Sequence, residues 1–122
     1  MEKILFVDDE KLPEWFDLPS DTPHAKTGVD TVRLWGTGKF EIMYLDYDLG
    51  FAKGDKLLEQ ICIKSISPGL IPLPKKIFCI SLNQSGGVEK IKAVCKSFNI
   101  PFENIGQKMM FDKFTILGGQ GG

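Results

Sequence analysis

The sequence of 122 residues has no long apolar run, little net charge and only one histidine. No apolar run approaches the ~20 residues that a membrane-spanning helix needs, so we expect no contact with a membrane. The net charge of −1 argues against non-specific binding to nucleic-acid phosphates. The first residues lead into a strand-like stretch rather than a signal peptide, which predicts a cytoplasmic protein.

Closely spaced cysteines are also missing. Cys62, Cys79 and Cys95 are odd in number, far apart and surrounded by apolar residues, and no Cys-x-x-Cys pair occurs. This arrangement favours three reduced thiols in the core over a metal or redox site. The single histidine, His24, lies outside the acidic stretches of the sequence, and we expect it to have a structural or surface role.

Two apolar stretches each end in a pair of acidic residues. One stretch runs over residues 4–7 and is followed by Asp8 and Asp9, and the other runs over 43–45 and is followed by Asp46 and Asp48. Buried strands that end in this way deliver carboxylates to one edge of a sheet. Helix capping or a solvated loop would explain one such pair, but two pairs at matched strand ends favour a binding site.

Strands and helices alternate along the chain, which predicts an α/β fold with a parallel sheet covered on both faces. We expect a single domain over 1–117 and a flexible glycine-rich tail over 118–122. The segment 109–117 is compatible with a short helix or an extended strand. Prolines leave room for only a turn of helix after the first strand, so the first helix is shortened. The predicted strands are 3–8, 23–27, 41–46, 76–81 and 102–106, and the predicted helices begin near 28, 54 and 87.

The acidic residues are suited to a hard cation. A strand order of 2-1-3-4-5 would place the strands that carry them side by side, ~4.8 Å apart. Converging carboxylates repel one another unless they share a proton or a cation. All the candidate ligands are oxygens, which favours Mg²⁺. The predicted metal ligands are Asp8, Asp9, Asp46 and Asp48.

A polar group also follows the fourth predicted strand. Ser81 could donate a hydrogen bond to a phosphoryl oxygen, although serine often ends a strand without such a role. Asn83 and Gly86 precede a predicted helix, where backbone N–H groups favour an anion. A plain capped turn explains Asn83 and Gly86 equally well.

These residues together resemble a response-regulator receiver domain, which has a flavodoxin-like three-layer sandwich. The resemblance rests on the Ile4–Glu10 stretch, on the eight-residue spacing from Asp46 to Gly54, and on Ser81. It implies that Asp8, Asp9 and the carbonyl of Asp48 hold Mg²⁺. It also implies that Asp46 accepts a phosphoryl group that Ser81 contacts. The lysine that ends the fifth receiver strand has no match here, and Lys108 is the nearest substitute.

A narrower resemblance is to the receiver-like family that is predicted to process cyclic phosphates and is common in bacteriophages. It rests on Pro13 after the first acidic pair, on Leu45–Gly50, on Pro74–Lys76 and on Ser81-x-Asn83-x-x-Gly86. It implies a Mg²⁺-dependent action on cyclic phosphates or nucleotides, and a phage origin. Where that family usually has two histidines, this chain has Tyr47 and Ile80.

Three functions remain open from the sequence. The first is a stand-alone receiver-like domain that binds or processes a phosphate-containing small molecule or nucleotide with Mg²⁺. The second is a response regulator that accepts a phosphoryl group on Asp46. The third is a catalytically inactive module that binds a protein partner.

Overall fold

The computed structural model describes residues 3–50, 52–82 and 86–106 of the chain. Five parallel strands form the main sheet, in the order β2-β1-β3-β6-β7, and a separate antiparallel hairpin pairs β4 with β5. The strands are β1 (Ile4–Val7), β2 (His24–Ala25), β3 (Ile42–Leu45), β4 (Asp48–Leu49), β5 (Ala52–Lys53), β6 (Lys76–Cys79) and β7 (Phe102–Asn104). The helices are a 3₁₀ turn (Pro13–Phe16), α1 (Gly28–Trp35), α2 (Gly54–Ile66) and α3 (Gly87–Ser97).

The main sheet confirms the predicted fold class. Numbered along the chain, its five strands have the order 2-1-3-4-5. The first helix is shortened as expected, because Pro13 starts a single 3₁₀ turn that ends at Asp17 in the left-handed conformation (φ 61°). The hairpin of β4 and β5, which begins at Asp48 of the second acidic pair, was not predicted.

The sheet buries a different set of side chains on each face. Because successive side chains of a strand point to opposite faces, Leu5 and Val7 join one cluster while Phe6 joins the other. The helices α1, α2 and α3 pack on the first face. In the described part of the chain, the 3₁₀ turn covers the second face through Phe16, whose ring lies 5.7 Å from that of Phe6. The predicted segment 109–117 lies outside the described residues.

The core is apolar and holds the cysteines. Cys62, Cys79 and Cys95 are buried and unpaired, which agrees with the expected reduced thiols. Burial raises the pKa of Cys62 to about 11 and that of Cys95 to about 12, so both thiols are protonated at neutral pH. None of the helices in the described ranges is both long enough and apolar enough to cross a membrane.

The register of the central strands aligns the ends that carry polar groups. Val7 of β1 pairs with Leu45 of β3, and Leu45 pairs with Cys79 of β6. Asp8 and Asp46 therefore follow two paired residues at the carboxyl edge of the sheet. Ser81 lies two residues beyond Cys79 at the same edge.

Candidate functional site

Asp8 is fully buried at the end of β1 and organises the turn that follows. Its Oδ1 atom accepts hydrogen bonds from the backbone N–H groups of Glu10 (2.7 Å) and Lys11 (2.9 Å). Aspartate stabilises tight turns in this way, since its short side chain reaches the backbone two and three residues later. The turn brings the Lys11 side chain back over the carboxylate that formed it.

Lys11 lies between the two buried carboxylates. Its Nζ atom is 3.1 Å from Asp8 Oδ2 and 3.6 Å from Asp46 Oδ1, and the side chain is only 13% exposed. Burial by itself would lower the pKa of Lys11. The charges of Asp46 and Asp8 outweigh that cost and hold the pKa above its usual value. The ammonium group is therefore charged. Sequence reasoning missed Lys11, although its position three residues after Asp8 in a strand-end turn was visible.

Asp46 follows β3 and is hydrogen-bonded to Ser81. Its Oδ1 atom accepts a hydrogen bond of 2.8 Å from the Ser81 hydroxyl, which in turn accepts one from the backbone N–H of Tyr47. Burial is the largest influence on the Asp46 carboxyl, and with the nearby charge of Asp8 it raises the pKa of Asp46. Lys11 and Ser81 act in the opposite direction and do not fully compensate. Asp46 is thus a partly desolvated carboxylate beside a hydroxyl donor.

Gly54 fixes the backbone behind Asp46. A Cβ atom at position 54 would meet the Asp46 carbonyl oxygen at 2.2 Å, so any side chain here would displace the strand end. The Gly54 N–H also donates to the carbonyl oxygen of Tyr47. The spacing from Asp46 to Gly54 therefore has a structural cause, because the start of α2 packs directly against the strand end.

The acidic side chains meet as a possible metal site. One carboxylate oxygen from each of Asp8, Asp9 and Asp46 lies within 4.8 Å of the other two. Asp9 is exposed, whereas Asp8 and Asp46 are buried, so the group is open to solvent on one side. An all-oxygen set with an open side fits Mg²⁺, which is usually held by one or two carboxylates together with waters. These three residues would hold the ion.

The side chain of Asp48 lies outside this group. It is exposed and pairs with Lys53 at 3.0 Å, and its Oδ1 atom also accepts a hydrogen bond from the Gly50 N–H (3.1 Å). The hydrogen bond from Lys53 is the main reason why the pKa of Asp48 lies below its usual value. The receiver resemblance implies that Asp48 binds the metal through its backbone carbonyl oxygen instead, and that assignment stays a prediction.

Tyr47 faces α3 and two lysines. Its ring occupies the space that a side chain at Gly87 would need. The Nζ atoms of Lys53 and Lys90 lie 5.7 and 5.5 Å from the ring centroid, and Lys90 Nζ is 3.3 Å from the Tyr47 hydroxyl. Lys90, in the first turn of α3, thus contacts the residue next to Asp46.

The other predicted site residues are distributed as follows. Gly86 precedes α3 in the left-handed conformation (φ 70°), while Asn83 lies outside the described residues, as does Lys108. Ile80 is fully buried in the second apolar cluster. His24 has the expected structural role, but it is nearer to the acids than its sequence position suggests, since its Nε2 atom is 2.7 Å from the Asp8 carbonyl oxygen.

A cavity of about 710 Å³ opens beside the acidic cluster. Asp9, Lys11, Asp46 and Ser81 line it on the side of the sheet. Its remaining walls include the aromatic rings of Trp15 and Tyr47. The Asp46 carboxylate is therefore accessible from a space that could hold a small molecule.

Comparison with known proteins gives structural matches only. No protein-family model and no curated protein matches the sequence. The receiver domain of the histidine kinase CKI1 from Arabidopsis thaliana, complexed with Mg²⁺, superposes with a TM-score of 0.62 and 14% identity, covering 95% of this chain and 91% of that one. The N-terminal domain of an uncharacterised protein from Wolinella succinogenes has a TM-score of 0.60 and 19% identity over 100% of both chains.

A third match carries a modified aspartate. It is a response regulator from Burkholderia pseudomallei with a phosphorylated aspartic acid, a calcium ion and citrate, with a TM-score of 0.58 and 17% identity. The match covers 85% of this chain, which spans 59% of the length of that protein. At these identities the comparisons establish the fold alone. The chain has the fold of the response-regulator receiver domains, with a cluster of aspartates at the carboxyl edge of its sheet.

Proposed function

We propose that the protein binds Mg²⁺ through Asp8, Asp9 and Asp46 and accepts a phosphoryl group on the Asp46 carboxylate. The observation that carries the proposal is the position of Asp46. Its carboxylate belongs to the acidic cluster, contacts the Ser81 hydroxyl at 2.8 Å and faces an open cavity. A nucleophilic oxygen, a cation site and a hydrogen-bond donor are thus close together, as phosphoryl transfer requires.

The transfer itself is a simple exchange at phosphorus. With acetyl phosphate as donor, an Asp46 carboxylate oxygen forms a bond to phosphorus while the bond to the acetate oxygen breaks. The products are an acyl phosphate on Asp46 and free acetate. When bound, Mg²⁺ would neutralise charge on the phosphoryl oxygens. The Ser81 hydroxyl, which donates to Asp46 Oδ1, would turn to donate its hydrogen bond to one of these oxygens.

Hydrolysis of a cyclic phosphate has weaker support. Such a reaction needs a general base close to the substrate, with a pKa near neutrality. Of the two positions where the narrower resemblance implies histidine, Ile80 is apolar and fully buried, and Tyr47 is a phenol. His24 Nε2 lies 2.7 Å from the Asp8 carbonyl oxygen, and His24 is not among the described residues that line the cavity. The described residues therefore suit acceptance of a phosphoryl group better than hydrolysis.

A second candidate function is binding of a phosphate-containing small molecule, such as a nucleotide or cyclic nucleotide. The cavity favours it, because about 710 Å³ lies within the range of about 300–1,000 Å³ that is typical of ligand sites. Trp15 and Tyr47 line the cavity, and aromatic rings can stack on a base. A phage origin and a cytoplasmic location stay predictions from the sequence.

Acetyl phosphate with and without Mg²⁺ tests the first proposal. We expect the intact mass to increase by one phosphoryl group only when Mg²⁺ is present. We also expect beryllofluoride to change the ¹H–¹⁵N NMR spectrum of the protein. Asp46→Asn should abolish both effects, and the matched variant Asp48→Asn, which keeps its carbonyl oxygen, should retain them. Modification that persists in Asp46→Asn would contradict the proposal.

A calorimetric screen of nucleotides and cyclic phosphates with Mg²⁺ tests the second candidate. Binding that needs Mg²⁺ and Asp46, without a change in protein mass, would support it. Analysis of the same mixtures by chromatography would detect hydrolysis. A protein that binds neither Mg²⁺ nor any of these ligands, and is not modified, would contradict both proposals and leave the inactive interaction module as the remaining hypothesis.

A further inference from the structure

The Lys11 ammonium group occupies the space between the two buried members of the acidic cluster. It is 3.1 Å from one oxygen of Asp8 and 3.6 Å from one oxygen of Asp46. Asp8 is fully buried and Asp46 is only 7% exposed, so solvent screens these charges little. The internal cation therefore stabilises two carboxylates that would otherwise repel each other.

The position of Lys11 is built into the turn. The Asp8 carboxylate uses Oδ1 to hold the backbone N–H groups of Glu10 and Lys11, and Oδ2 to bind the Lys11 ammonium group. One carboxylate thus fixes both the backbone and the charged end of the same lysine. The Asp8–Lys11 ion pair therefore follows from the conformation of the turn, unlike an ion pair between two freely moving surface side chains.

A divalent ion at this cluster would need the same space. Mg²⁺ binds carboxylate oxygens at about 2.0–2.1 Å, and the nearest oxygens of Asp8 and Asp46 already face the ammonium group. Two positive groups side by side among these carboxylates would repel each other strongly in a poorly solvated region. The open side of the cluster is the cavity, which Lys11 also lines, so the side chain has a path outward.

We propose that Lys11 is an intramolecular counter-ion that competes with the divalent cation, so that the metal binds only when the ammonium group leaves the space between Asp8 and Asp46. This inference rests on the metal site of the proposed function and adds its regulation. Lys11 is a positioning residue that sets the metal affinity. Without the metal it keeps the two carboxylates in place.

Mg²⁺ titration of the whole chain by calorimetry, at fixed pH and ionic strength, tests the competition. Lys11→Met keeps an unbranched side chain, one atom shorter and without the charge, and it should bind Mg²⁺ tighter by on the order of tenfold, a common size for coupling between two bound groups. Lys11→Arg should bind no tighter than the wild type. The matched control is Lys53→Met, since Lys53 pairs with Asp48 at 3.0 Å outside the cluster, and its affinity should equal that of the wild type.

The outcomes separate the two proposals. If the wild type binds Mg²⁺ and Lys11→Met binds it no tighter, the competition is wrong and the metal site stands. If Lys53→Met gains as much affinity as Lys11→Met, the effect is one of general charge and the competition is also wrong. If neither the wild type nor Lys11→Met binds Mg²⁺, the metal site itself is absent.

A second measurement uses the wild type alone and does not depend on the folding of a variant. Amine ¹⁵N–¹H spectra can follow lysine ammonium groups that are held in ion pairs. Saturating Mg²⁺ should shift or remove the signal of Lys11 and leave that of Lys53 in place. A Lys11 signal that does not change while Mg²⁺ binds would overturn the inference.

Discussion

Two neighbouring regions of the molecule contain the same chemical pair in opposite surroundings. The Asp8–Lys11 pair at the carboxyl edge of the sheet has a separation of 3.1 Å, and the Asp48–Lys53 pair of the hairpin has 3.0 Å. The side chains of the first pair are 0% and 13% exposed, and those of the second are 69% and 43% exposed. Distance is therefore a poor guide to the importance of an ion pair, and burial decides how much the pair matters.

The largest expected effect is the loss of the buried acid. Asp8→Ala would leave Lys11 without its main partner and two backbone N–H groups without an acceptor. We expect the free energy of unfolding to fall by about 3 kcal/mol, as for other buried pairs that lose one member. Asp48→Ala should give no measurable change. Urea denaturation of both variants tests the comparison, and equal losses would show that burial is not the deciding factor.

Glycines in the two regions should respond differently to a methyl group. Gly54→Ala places a Cβ atom 2.2 Å from the Asp46 carbonyl oxygen, and backbone cannot move as a flexible side chain does. We expect a loss of about 3 kcal/mol. Gly50, in the hairpin, has a φ of 79° and no atom within 4 Å of its added Cβ, so Gly50→Ala should cost about 1 kcal/mol from backbone strain alone. Denaturation curves that rank the two variants in the reverse order would contradict this account.

The two regions should also titrate in opposite directions. From the same ordinary value of 3.8, burial and the charge of Asp8 raise the pKa of Asp46, whereas hydrogen bonds from Lys53 and Gly50 lower that of Asp48. The Asp46 contribution to stability is thus complete below pH 3.8 and is lost as the pH rises through its folded-state pKa. The Asp48 contribution, which is too small to measure by denaturation because the pair is exposed, is complete above pH 3.8 and is lost as the pH falls through its folded-state pKa.

Carboxyl ¹³C NMR of the metal-free protein measures both titrations. The Asp46 midpoint should lie above that of Asp48 in one experiment, which serves as its own control. A common midpoint would mean that the buried carboxylate is as well solvated as the exposed one.

The smallest effect is expected for the exposed lysine. Lys53→Met removes an ion pair that water and salt already screen, so stability should not change measurably at low or high salt. Thermal denaturation at two salt concentrations tests this. A loss at low salt that disappears at high salt would show that the hairpin pair contributes more than its exposure suggests.

Much of the fold could be predicted because its signals are local. Short apolar runs mark the strands, the glycines at the starts of α2 and α3 mark those helices, and the order of the elements determines a parallel sheet. The meeting of Asp8, Asp46 and Ser81 also followed, because the register of parallel strands brings their ends together. That these residues bind a metal or a phosphoryl group stays a prediction.

The contacts that were missed depend on how turns place long side chains. Lys11 and Lys90 reach Asp46 and Tyr47 only because the turn after β1 and the first turn of α3 point toward the same edge. The pattern of apolar residues in the sequence does not show where these two turns place their lysine side chains. The hairpin of β4 and β5 was missed for a similar reason, since two-residue strands are too short to show an alternating pattern.

The hydrogen bond from the Gly54 N–H to the Tyr47 carbonyl has a further consequence for the evolution of the molecule. It closes the hairpin at its base, so the chain leaves the sheet edge after residue 47 and returns to the same point at residue 54. Segments closed in this way can change length at a small cost, because the entropy of loop closure rises only slowly with length. A change in hairpin length is therefore expected to cost little, and it would alter the part of the cavity that Asp48, Gly50 and Lys53 line while Asp8 and Asp46 remain in place.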